Sequence, residues 1–183
     1  VASEPGEVIY ANIQNDGTRC DAMTIPAGGL RIPNSVETAL LKEDEKGGVR
    51  AQDHLVTKGD VLFNFVQTEV PPMVLKLLET ANLTVADVDY FMFHQPNKFA
   101  LTKLASKLGI GQDRVFTSVI ENLGNPSSAS IPAVMAYDAS EALMSGTHRL
   151  CLAGFGVGLS LSSMLINAGP MDFCKLVEMP NAF

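Results

Sequence analysis

From Leu150 to Met171 the sequence carries no charged residue, and such a run admits few structures. A membrane helix needs about 20 consecutive, predominantly apolar residues. Here Gly154, Gly156 and Gly158 fall inside the run, followed by Ser160, Ser162 and Ser163. Two short apolar segments, "RLCLAG" and "LSLSSMLI", flank the glycines. Two strands joined by a glycine-rich turn and buried as a hairpin fit this pattern better than a span. We therefore expect a hairpin and no membrane segment.

The residues upstream alternate between two periods. "EVIYANIQ" and "CDAMTIP" read as strands joined at Asp16-Gly17, a favoured hairpin turn. A loop through Gly28, Gly29, Pro33 and Asn34 follows, and the charged "KEDEKGGVR" at 42–50 reads as a solvated turn. From Gly59 the period becomes helical: Val61, Leu62, Phe65, Val66, Met73, Val74, Leu77 and Leu78 form one stripe, and Pro71-Pro72 predicts a kink or break. Thr84 with Asp87 predicts a capping box before "VDYFMF", a strand apolar enough to be covered on both faces. A helix over 98–108, a strand through "RVFTSVI" and a helix through "ASIPAVMAYDASEALMSG" complete a βαβαββ order. That order predicts a layered α/β fold with a mostly parallel sheet.

Composition narrows the function classes. A chain of 183 residues with 46% hydrophobic and 18% charged residues has enough apolar content for one folded core. Its net charge of −7 argues against nucleic acid as a partner. Cys20, Cys151 and Cys174 are odd in number and lack metal-ligand spacing, so we read reduced thiols, no metal site and a cytoplasmic protein. The chain starts at Val1 without a signal-like segment, and we expect it to be part of something longer.

The chemistry-bearing residues gather at one sheet edge. His94 follows one strand, Asn125 lies in the "ENLGNPSS" loop, and Gly154, Phe155 and Gly156 end a third strand. In an open parallel sheet the carboxyl ends of the strands share an edge, where ligands bind. A histidine at a strand end is more often structural than catalytic, and Asn125 before Pro126 and Ser127 also reads as a helix cap. "GFGVG" resembles a dinucleotide loop, but a strand follows it where that motif needs a helix. His54 and His148 read as surface residues, and Cys151 as a small buried hydrophobe.

Three motifs, "HQPN", "ENLGNPSSASIPAVM" and "LAGFGVGLSLSSMLI", occur in an order that resembles the C-terminal half of ketoacyl-acyl-carrier-protein synthase III. The similarity runs from about residue 7 to residue 166. It implies a thiolase-like layered α/β/α half, with a mixed, mostly parallel sheet over 1–167 and an extension of unknown role over 168–183. The family performs a decarboxylative Claisen condensation of acyl-CoA with malonyl-acyl-carrier protein. Coenzyme A and phosphopantetheine serve as substrate carriers, and no further cofactor is implied. The nucleophilic cysteine belongs to an N-terminal half that this sequence does not contain.

By motif, the resemblance assigns His94 and Asn125 as donors to the enolate oxygen, with a neutral imidazole giving one N–H. It places Gly59, Asp60, Phe63, Asn97, Phe155 and Gly156 around the pantetheine tunnel and acyl pocket. Pro96, Pro126, Asp60 and Phe99 stand where the family more often has alanine, threonine, asparagine and arginine. Lys98, Lys103 and Lys107 lie on a helix without acidic residues. They read either as a solvated face or as a docking patch for an acidic carrier protein. The alternative function is a non-catalytic thiolase-like domain that binds acyl carriers or acts as a scaffold. The apolar helical segment over 127–146 predicts an exposed face in the isolated chain, and hence self-association as a two-fold dimer.

Overall fold

A computed structural model describes residues 8–44 and 47–177. Glu7, positions 45–46 of the charged 42–50 segment and the end of the 168–183 extension lie outside the described residues. No described helix is long and apolar enough to cross a membrane. The chain divides into two compact units. One comprises the residues up to Gln14, Phe65–Phe155 and those from Leu161 onward; the other comprises Asn15–Asn64 and Gly156–Ser160.

The first unit is built on a four-stranded sheet ordered β1-β8-β7-β6, with β1 at Tyr10–Asn15, β6 at Tyr90–Phe93, β7 at His148–Gly156 and β8 at Ser160–Ala168. The sheet is mixed. Strand β6 runs parallel to β7 in the register Tyr90↔Leu150 to Phe93↔Ala153. Strands β7 and β8 are neighbours joined by three residues, a connection that only an antiparallel pair can make. This is the hairpin expected from the uncharged run. Phe91, Met92 and Phe93 are all buried, which accounts for the absence of polar alternation in β6. The capping box holds too: the Thr84 N–H donates to Asp87 Oδ2 at 2.7 Å ahead of a short 3₁₀ turn.

Helix α1, Gly59–Thr80, continues through both prolines without ending, so of the expected kink or break the break does not occur. Proline has no N–H, so Pro71 leaves the carbonyl of Gln67 without its helical donor. The ammonium of Lys107 fills that role, donating to the Gln67 oxygen at 2.8 Å. Lys107 lies on α2, Lys98–Leu108, which Asn97 caps through Oδ1 and the Ala100 N–H at 2.8 Å. Gly109 closes α2 at φ 66, a left-handed position that glycine occupies without a side-chain clash. Leu101, Leu104, Ala105 and Leu108 form its buried stripe.

Two further elements of the first unit differ from expectation. "RVFTSVI" forms no extended strand: it makes one parallel bridge, Phe91↔Val115, and then enters helix α3, Ser118–Asn122. The cause is Gln95, a fully buried side chain beside the end of β6. Its Nε2 donates to the Phe116 carbonyl at 3.1 Å, and its Oε1 accepts from the Ile120 N–H at 3.3 Å. Those backbone groups are therefore unavailable to a sheet partner. The single expected helix over 129–146 is two, α4 at Ser130–Asp138 and α5 at Ser140–Ser145, separated at Ala139 with φ −115 and ψ 8.

The break has a partner in the tail. Cys174 is buried in one core cluster with Met92, Val119, Val134, Ala139, Leu143 and Leu150. Its thiol donates to the Met135 carbonyl at 3.4 Å, and the Ser140 hydroxyl donates to its own carbonyl. The segment after β8 thus joins the packed core of the first unit through Met171 and Cys174.

The second unit is loop-rich. Asp16 does not make a hairpin turn; its carboxylate accepts the Thr18 N–H at 2.9 Å and caps a 3₁₀ helix, Gly17–Ala22. The segment after it contributes only β2, Met23–Thr24, which pairs antiparallel with β5, Val56–Thr57. Strands β3, Lys42–Glu43, and β4, Val49–Arg50, form a second small ladder where a plain turn was expected. The hairpin expectation failed because an aspartate before a glycine serves a cap as well as a turn.

Candidate active site

His94 is the first residue beyond β6. Its backbone N–H donates to the Ala153 carbonyl at 2.8 Å, extending the parallel ladder by one rung. The ring is half-buried, and burial pushes its pKa below the ordinary 6.5, an effect partly opposed by the Ser127 carbonyl. The edge of the nearly buried Phe155 ring packs against it at 86°, with centroids 5.3 Å apart. Nδ1 lies 3.0 Å from the hydroxyl of Ser130, and that hydroxyl donates to the Ser127 carbonyl at 2.7 Å. Nε2 makes no hydrogen bond to a described residue.

Asn125 reaches the same turn from the other side. Its Oδ1 accepts the Ser127 N–H at 2.9 Å across a two-residue turn. It is not the expected helix cap: the 3₁₀ helix Ser127–Ala129 has Pro126 at its cap position and no side-chain cap bond. The bond to Ser127 leaves the Nδ2 amide, on an exposed side chain, without a partner among the described residues. Ser127 has φ 52, a left-handed conformation that costs a non-glycine residue about 1–2 kcal/mol. Its N–H serves Asn125 while its C=O serves Ser130. One strained residue therefore links the two side chains that the motifs single out, a concentration of strain typical of functional sites.

The other expected positions distribute as follows. Asn97 is the α2 cap and Phe155 is the neighbour of His94. Gly59, Asp60 and Phe63 occupy the first turns of α1 in the second unit, to which Gly156 also belongs. Lys98 is paired with Glu121 at 2.9 Å, Lys107 with the Gln67 carbonyl, and Lys103 lies 5.6 Å from the centroid of the Phe99 ring. The three lysines are thus not a uniform free patch. Glu121, read as the first residue of the loop after a strand, lies instead within helix α3, where it reaches Lys98. His148, read as a surface residue, is half-buried, with Nε2 3.1 Å from the Ala142 carbonyl and its ring 5.3 Å from that of Tyr90. Gln95, Ser127 and Ser130 went unassigned in the sequence. A polar residue opening an otherwise apolar helix was the available signal for Ser130. No group of three His, Cys, Asp or Glu residues that could hold a metal occurs among the described residues.

Comparison with known proteins adds a decisive observation. Residues 78–168, which include His94, Asn125, Ser130 and Phe155, match the family described as 3-Oxoacyl-[acyl-carrier-protein (ACP)] synthase III C terminal. The chain carries that C-terminal domain. The synthase III of Streptococcus gordonii is 31% identical over 159 residues, covering 85% of this chain and 45% of the relative. That of Lactococcus lactis is 30% identical over 168 residues, covering 91% and 48%. The crystal structure of a Burkholderia xenovorans 3-oxoacyl-(acyl-carrier protein) synthase superposes with a TM-score of 0.83 at 30% identity, covering 97% of this chain and 49% of that one. A second synthase III crystal structure gives 0.82 at 32% identity, covering 90% and 50%. The synthase III domain thus has the thiolase-like α/β fold, and the chain spans about half the length of these relatives.

Proposed function

We propose that this chain is the C-terminal half of a condensing enzyme that joins an acyl group to a malonyl unit with loss of carbon dioxide. Its carriers are coenzyme A for the acyl group and an acyl-carrier protein for the malonyl group. The nucleophilic cysteine comes from a preceding half. None of the three cysteines here suits that role: Cys151 and Cys174 are buried, and Cys20 lies in the loop-rich unit.

The observation that carries the reading is the Ser127 turn. It holds Asn125 by its carbonyl and His94 through Nδ1, leaving one nitrogen of each side chain without a partner among the described residues. Loss of carbon dioxide leaves an enolate whose oxygen gains negative charge. Preorganised polar groups stabilise such an oxygen, and removing one donor from a comparable hole costs about 2.7–4 kcal/mol. Asn125 Nδ2 offers a neutral donor, and His94 Nε2 offers a second position once it carries a proton.

The test separates the two half-reactions in the chain joined to its preceding half. His94→Ala should abolish decarboxylation of malonyl-carrier protein while leaving acylation of the cysteine largely intact. Equal loss of both would make His94 structural. A preceding half without a reactive cysteine would favour the scaffold reading.

A further inference from the structure

The hydroxyl of Ser130 has one proton and two neighbours. The Ser127 carbonyl can only accept, and the Oγ–O distance of 2.7 Å is that of a well-formed O–H···O bond. That bond takes the serine proton. The remaining contact, Nδ1 to Oγ at 3.0 Å, then requires the proton to lie on the ring nitrogen. Ser130 is 1% exposed, so its own bonds and not bulk water decide the arrangement. Ser127 holds the acceptor in place: it is fixed in its left-handed conformation, and its carbonyl also receives the Ser130 N–H.

We propose that Ser130 is the positioning residue of His94, its oxygen accepting a hydrogen bond from Nδ1–H so that the neutral ring carries its lone pair on Nε2. The resting imidazole thus presents an acceptor at its unpartnered nitrogen. It gives a hydrogen bond to an oxyanion only after a second proton arrives. This functional consequence rests on the enolate reading above; the tautomer does not. Asn125 stays a donor in either state, because the same turn occupies its oxygen.

The experiment is a long-range ¹H–¹⁵N correlation of the imidazole groups in the ¹⁵N-labelled chain at neutral pH. Wild-type His94 should show a protonated Nδ1 and a bare Nε2. Ser130→Ala should shift His94 toward the Nε2–H form that free histidine prefers, and Ser130→Thr, which keeps the hydroxyl, should restore the wild-type pattern. His148 is the internal control, since its contact with Ala142 is independent of Ser130. Should the alanine variant lose the His148 pattern, Ser130→Cys takes its place, with a partial shift expected from the weaker acceptor. A wild-type Nε2–H ring, or an unchanged tautomer in a folded Ser130→Ala or Ser130→Cys chain, overturns the proposal. A correct tautomer alongside unimpaired decarboxylation in His94→Ala would instead sink the enolate reading alone.

Discussion

Burial gives the three cysteines very different chemistry. Desolvation pushes the Cys151 thiol up to about 12 and raises that of Cys174, whereas Cys20 is exposed. The thiolate is the reactive form, so Cys151 stays protonated through any ordinary assay pH. Iodoacetamide at pH 8 should therefore label Cys20 alone in the folded chain, and all three positions after denaturation. Mass spectrometry of the digested protein reads the result; native labelling of Cys151 would show that β7 opens. The buried character of Cys151 was legible from its place inside an apolar strand. So was His94, because four polar or rigid residues after "DYFMF" exceed what a plain turn requires. Ser130 was not, since its partner lies 36 positions away and the direction of a hydroxyl bond has no sequence signal.

At the scale of elements, Asn97 has a structural role that the motif alone did not reveal. A side-chain oxygen at the cap satisfies one of the unpaired N–H groups of a helix start, and its loss costs about 1 kcal/mol. Asn97→Ala should lower stability by that amount in chemical denaturation, and Asn97→Asp should retain most of it. Equal destabilisation by both would argue that the amide nitrogen matters more than the cap. The helix over 98–108 was readable to the residue because cap, apolar stripe and terminal glycine agree. "RVFTSVI" was not, since its β-branched residues favour a strand while the buried amide of Gln95 claims its backbone. Local propensity yielded to one tertiary contact.

The whole molecule exposes much apolar surface. In the second unit Leu30 is 103% exposed and Val36 85%, and in the first Phe173 is 79% exposed. Tyr137 and Pro132 on α4 are exposed as well, so that helix is not covered on all sides. Monomeric proteins seldom carry apolar patches beyond a few hundred Å². The isolated chain should therefore self-associate at micromolar concentration, with a mass above 19.5 kDa by light scattering. A monomer that binds no hydrophobic dye would contradict this. The layered α/β architecture followed from the alternation of periods and the uncharged hairpin. The role of the tail did not, because Cys174 sits in a polar-looking stretch and only the completed core shows where it packs.

The left-handed backbone of Ser127 also limits how this sequence can drift. Glycine, asparagine and aspartate reach that conformation readily, and each keeps the N–H and C=O that join Asn125 to Ser130. Valine, isoleucine and threonine do not, because their branched Cβ crowds the carbonyl at positive φ. Among descendants of this chain, position 127 should vary only within the first group, although its side chain makes none of the bonds that hold the site.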